Sequence, residues 1–307
     1  MNFTATNSSS APVIATITVT PVFENGGVTN EGDSVSFTIT VNPSAQVDDL
    51  TNQVVCNGDT TSIVEFTTQN TGGTTTYTWT NNTSSIGLSD SGTGDILAFI
   101  ATNSSTEPVV ATITVTPTFE NGGIDCGGED KTFTITVNPT AQVDQPLDQV
   151  VCNGEDVSVL FSTLNTSGTS TYSWTSDIEI GAGLSGTGDM NFTATNSSTA
   201  PVEATITVTP TFEFDDVVCN GEDKTFTITV NPTAQVDDLT NQVVCNGDTT
   251  SIVEFTTQNT GGTTTYTWTN NTSSIGLSDS GTGDILAFIA TNSSTEPVVA
   301  TITVTPT

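Results

Sequence analysis

The chain has 307 residues, of which 34 are acidic and two basic, with no Arg and no His, for a formal net charge of −32. Such a chain cannot neutralise phosphates, so nucleic-acid binding is excluded, and anionic membrane surfaces repel it. The missing His excludes Ser-His-Asp and Cys-His triads and His-built zinc sites, and no run of 18 apolar residues spans a bilayer.

The opening stretch, Met1–Ser9, reads MNFTATNSS and returns at Met190–Ser198. It is followed by ATITVTP from Ala15 and FTITVNP from Phe37, two segments of strict alternation between aliphatic or aromatic residues and Thr. Period-two patterning of β-branched residues predicts half-buried strands, and the prolines that close each segment predict their ends. From Ser44 the chain runs through QVV (53–55), SIVEFTT (62–68), TTYTWT (75–80) and ILAFIAT (96–102), then ATITVTP ending at Pro117 and FTITVNP ending at Pro139. Turn chemistry at Asn57-Gly58, Gly72-Gly73 and Gly92-Thr93-Gly94 separates the strands. The same order recurs from Thr140, and residues 45–118 and 234–307 are identical.

The repeat is therefore about 95 residues long and divides the chain into four. Residues 1–43 are the C-terminal part of one repeat, 44–139 and 140–232 are complete, and 233–307 are the N-terminal part of another. Met1 takes the position of Leu97, in mid-repeat, so the expectation is a window on a longer tandem array. About seven short strands and one Trp per repeat predict an all-β protein of tandem immunoglobulin-like β-sandwich domains. At ~3.3 Å per residue each domain is about 25–35 Å long, and joined end to end the domains form an elongated rod. Tyr77 and Trp79, with their copies at 172/174 and 266/268, share a face and are expected in the core.

Five cysteines fall at 56, 126, 152, 219 and 245. Each complete repeat carries one just after its first strand and one just before its last, which predicts Cys56–Cys126 and Cys152–Cys219. The partner of Cys245 is then expected near position 315, outside the chain, and Asn30 stands where the first repeat would have its cysteine. Such bridging implies an oxidising, extracellular setting. A closed loop of this size stabilises by roughly 4 kcal/mol in the chain-entropy account. Under tension, load would bypass the residues between the paired cysteines.

Acidic residues follow the linkers: Asp48 and Asp49, Asp144, and Asp237 and Asp238. Two readings stand, a solvated linker or a junction calcium site with oxygen ligands, and no other cofactor is expected. The GTGD loops (92–95, 186–189, 281–284) lead into strands and are read as tight turns, not phosphate cradles. Lys131 and Lys224 are read as surface charges, and the Asn82, Asn103, Asn165 and Asn196 sequons as products of composition. No acid pair with the geometry for glycoside hydrolysis is legible, and an enzyme is not expected.

The set Y-x-W, S-G-T-G-D, A-T-N-S-S, A-T-I-T-V-T-P and K-T-F-T-I-T-V-N-P resembles the PKD-like repeats of very large Bacteroidetes surface proteins, in particular repetitive gliding-motility adhesins of flavobacteria. The likeness covers the whole chain, although VTNEGDSVSF in the first repeat replaces IDCGGEDKTF and loses both Cys and Lys. The resemblance implies export by the type IX system, a place on the bacterial cell surface, and outer-membrane secretion and motility machinery as partners. It also implies O-glycosylation, for which Ser34, Thr60 and Thr249 fit the acceptor pattern. The expected function is a stiff, acidic stalk segment of a surface adhesin, with a surface polysaccharide or an abiotic surface as ligand. A structural filament or sheath without a ligand is the alternative, and a spacer on a secreted polysaccharide-degrading enzyme a third.

Overall fold

A computed structural model describes residues 3–307. The described residues form 21 short strands and two single 3-10 turns, Ser84–Ile86 and Ser273–Ile275, with no α-helix. The chain divides into two compact units. The first holds Met1–Gln142, Leu164–Ser170 and Thr211–Gly221; the second holds Val143–Thr163, Thr171–Pro210 and Glu222–Thr307.

The first stretch carries β1 (Val13–Val19), β2 (Val22–Asn25), β3 (Val28–Glu31) and β4 (Val35–Val41). β1 pairs with β4 and β2 with β3, both antiparallel. The second carries β5 (Gln53–Cys56), β6 (Thr74–Asn81), β7 (Ser91–Thr93), β8 (Val109–Asn121), β9 (Ile124–Gly127) and β10 (Lys131–Asn138), in the sheet order β5-β10-β8-β6-β7, with β9 hairpinned onto the far end of β8. β5 runs parallel to β10, and the other pairs are antiparallel.

The alternation read in the sequence becomes two-sided burial. Ala111, Ile113 and Val115 of β8 and Phe133, Ile135 and Val137 of β10 are buried, and they pack on Trp79, Val64, Phe66 and Ile96. Tyr77 and Trp79 lie in this core, as expected. A methyl group on Gly92 of β7 would collide with the Trp79 ring, so only glycine fits there.

The second layer is less regular than the alternation predicts. Residues 60–68 and 96–102 meet only in isolated bridges, Val64 with Ile96 and Thr60 with Ile100. Side chains replace ladder bonds there: the Phe66 N–H donates to Asp95 Oδ1 at 2.8 Å, and the Phe99 N–H to Thr61 Oγ1 at 3.1 Å. Nor does Pro117 end its strand. β8 leaves β10 at Val115 and takes up β9 from Thr118, so Pro117 sits at the change of partner, where its missing N–H leaves no ladder bond unmade.

The third stretch repeats this plan with β11 (Gln149–Cys152), β12 (Asp156–Val159), β13 (Thr169–Ser176), β14 (Ser185–Thr187), β15 (Met190–Thr193), β16 (Val202–Phe214), β17 (Val217–Asn220) and β18 (Lys224–Asn231). Here β12 and β15 form a true two-stranded second layer. The last stretch has β19 (Tyr266–Asn270), β20 (Ser280–Thr282) and β21 (Ile302–Pro306), around a small core of Phe255, Trp268, Leu277 and Ile285. The chain is thus a tandem array of immunoglobulin-like β-sandwich repeats.

Candidate functional site: the junction between repeats

Cys56 closes β5 and pairs in register with Asn138, the last residue of β10. Asn138 Nδ2 donates to Phe214 O at 3.0 Å, which seats the β16–β17 hairpin of the following repeat on the end of β10. That hairpin carries Cys219, and the disulfide is Cys56–Cys219, with Cα atoms 5.5 Å apart across 163 residues of sequence.

The expected pairs Cys56–Cys126 and Cys152–Cys219 are therefore not formed, and Cys126, Cys152 and Cys245 are free thiols. The reason is strand direction. Because β5 and β10 are parallel, a residue at the end of β5 and a residue before the start of β10 lie at opposite ends of one sandwich. The seven steps from Lys131 to Asn138 alone separate them by roughly 23 Å, far beyond the ~7 Å reach of a disulfide.

The same junction is laid out without sulfur between the first two repeats. Asn42 follows β4 as Asn138 ends β10; its Nδ2 donates to Asn121 O at 3.0 Å, and Asn121 Nδ2 returns a bond to Asn42 Oδ1 at 2.9 Å. Asn30 takes the Cys219 position on the first repeat's own hairpin.

A second strap recurs at every junction. The Thr71, Thr166 and Thr260 N–H groups donate to Ser10, Thr106 and Thr199 O, at 2.9, 3.0 and 2.8 Å. Beside them, Asn70, Asn165 and Asn259 each reach back to the linker carbonyl of Ser44, Thr140 and Thr233. Asn103 and Asn196 are buried and bind the backbone of their own repeats, Asn103 Nδ2 to Val137 O and Asn196 Nδ2 to Val230 O, both at 2.7 Å. All four sequon asparagines thus serve structure, Asn82 by accepting from the Thr112 N–H at 2.8 Å, which composition alone did not reveal.

The linker aspartates serve their own repeats. Asp48 accepts from Thr67 Oγ1 at 2.7 Å, Asp144 from Ser162 Oγ at 2.6 Å and Asp237 from Thr256 Oγ1 at 2.6 Å. The Thr67 and then the Gln69 side-chain bonds hold the Asp48 carboxyl below its ordinary range. Asp49 pairs with Lys131 at 2.6 Å. In the next repeat Gln145 stands in the Asp49 position and donates instead to Thr225 O at 2.8 Å. Among the described residues no three His, Cys, Asp or Glu side chains converge, so Asp48, Asp49, Asp144, Asp237 and Asp238 are not gathered into one cluster. Ser34, Thr60 and Thr249 are exposed.

No family model matches the chain, and no curated protein does. Among solved structures, a fragment of mouse cadherin-23 (EC22-24) is 12% identical over 72% of this chain and 74% of its own, with a TM-score of 0.32. The N-terminal eight Ig domains of Down syndrome cell adhesion molecule are 9% identical over 97% of this chain and 52% of theirs, with a TM-score of 0.33. The tandem Ig repeats of Dlar give a TM-score of 0.21 at 12% identity, over 61% of this chain and 99% of theirs. At these scores the likeness carries no functional information.

Proposed function

We propose that the chain is a load-bearing stalk segment of a repetitive extracellular adhesin, with no catalytic role. The observation that carries this reading is the Cys56–Cys219 bridge, which ties one repeat covalently to the next and suits an oxidising exterior. The recurring Asn and Thr straps add to it, because each junction is built, not a loose linker. A surface rich in Asp, Glu and Thr keeps neighbouring stalks soluble and apart. The motif resemblance to PKD-like repeats supports a place on a Bacteroidetes cell surface, type IX export and a part in gliding.

In this reading the repeats hold an adhesive site away from the cell and do not themselves bind. The test is binding of the whole chain to a panel of surface polysaccharides and to glass, in calcium and in chelator. The expected result is no saturable binding in either condition. Saturable binding that is lost on mutating exposed loop residues would make the repeats the adhesive element and overturn the stalk reading.

A further inference from the structure

In the second repeat the layer packed against β8 and β10 is closed by residues 59–66 and 95–101. Val64 lies opposite Ile96 and Thr60 opposite Ile100, and the Thr61 N–H donates to Phe99 O at 2.9 Å, so one register holds throughout. Val64, Thr61 and Ile96 are buried. Between them each strand carries one residue more than strict alternation allows, Ser62 on one and Ala98 on the other, both exposed. Gln53 holds the Ser62 backbone aside: its Oε1 accepts from the Ser62 N–H at 3.0 Å, and its Nε2 donates to Ser62 O at 3.1 Å.

The extra pair leaves large apolar side chains facing outward. Ile63 lies opposite Leu97, one step from the Val64–Ile96 bridge, and Ile100 follows three residues on; they are 54%, 72% and 56% exposed. Their copies Ile252, Leu286 and Ile289 are 52%, 71% and 55% exposed, so the exposure belongs to this layer and not to what flanks it. The sandwich does not require it. The third repeat closes the same layer with the regular β12–β15 ladder, where the outward pair is Ser158 and Asn191, hydrogen-bonded at 3.0 Å.

Neighbouring exposed apolar side chains mark an interaction surface where isolated ones do not. The charges around this one select its partner. Asp59, Glu65 and Asp95 flank the three apolar residues, all exposed, and Asp95 is held in place by the Phe66 N–H at 2.8 Å. The two lysines lie on the other layer, where Lys131 opens β10 and Lys224 opens β18. We propose that this face docks a basic amphipathic segment of another protein. Its apolar side chains cover Ile63, Leu97 and Ile100, and its Lys or Arg side chains meet the three carboxylates. A second copy of this chain is the poorer occupant, because it would set the same carboxylates, on a chain of net charge −32, against their like.

The inference goes beyond the stalk reading and does not rest on it. A neutral polysaccharide or glass offers these carboxylates no cations, whereas a basic protein segment would ride on the stalk at every such repeat.

The experiment is titration of the whole chain with a short peptide of alternating Lys and Leu, and with a Lys-Ser peptide of equal charge, followed by fluorescence anisotropy. Expected is saturable binding of the Lys-Leu peptide at two sites per chain, weakening as salt rises. The Lys-Ser peptide should bind at least ~10-fold more weakly, since it has no apolar area to bury. Ile63→Ser with Leu97→Asn should remove one site, and Ile252→Ser with Leu286→Asn the other. These positions are exposed, so circular dichroism should show the fold unchanged. Absence of saturable binding, binding that survives all four substitutions, or equal binding of the Lys-Ser peptide overturns the proposal. So does a concentration-dependent rise in mass by light scattering that the four substitutions abolish, which would make a second copy the occupant.

Discussion

Cys56 and Cys219 belong to consecutive repeats, and the bond between them encloses everything from β6 to the β16–β17 hairpin. Closing a loop of 163 residues restricts the unfolded chain by about 5 kcal/mol in the chain-entropy account. Reduction, or Cys219→Ser, is expected to lower the denaturant midpoint of the β5–β10 sandwich accordingly. In single-molecule stretching, the residues between 56 and 219 stay hidden until reductant is added. They then release roughly 540–590 Å of contour. Equal extension with and without reductant would count against a load-bearing bridge.

Phe133 and Phe37 occupy equivalent positions with opposite environments. Phe133→Ala is expected to cost about 3–5 kcal/mol, as core Phe truncations do. Phe37→Ala should stay within ~0.5 kcal/mol. Hydrogen exchange of the β8 and β10 amides against those of β1 and β4 reads both. Similar losses at the two sites would mean that residues 13–41 bury a core of their own.

The Asp48 carboxyl lies below the ordinary aspartate value of 3.8, chiefly through Thr67 and then Gln69. A depressed folded value favours the folded state above the unfolded pKa, and that contribution is lost as pH falls through the folded one. The affected window therefore lies below about pH 3.8, and neutral pH is untouched. Carboxyl NMR titration should show the Asp48 midpoint moving up in Thr67→Val, and less so in Gln69→Leu. An unmoved midpoint would remove the hydroxyl bond as its cause.

Asp48, Asp144 and Asp237 are each occupied by a hydroxyl donor of their own repeat, and no three acids converge among the described residues. The thermal midpoint is expected to be the same in chelator and in millimolar calcium. A higher midpoint in calcium would restore the junction-cation reading.

What the sequence made legible was the periodic part. Alternation in ATITVTP and FTITVNP placed β8, β10, β16 and β18, and the lone Trp marked the core. What it hid was everything set by partners distant along the chain. Cysteine spacing suggested bridges within repeats because linear order does not reveal that β5 and β10 run parallel. Pro117 looked like a terminator because the change of edge partner from β10 to β9 is not written locally. The buried sequon asparagines look like any exposed ones until the turn they close is seen.

The bridge also sets a clock. Cys56 cannot close until Cys219 has been made and its hairpin has folded, 163 residues later. Until then Cys56 waits as an open thiol while the following repeat takes shape. Oxidation at this junction therefore trails folding by one repeat, and the later sandwich locks the earlier one.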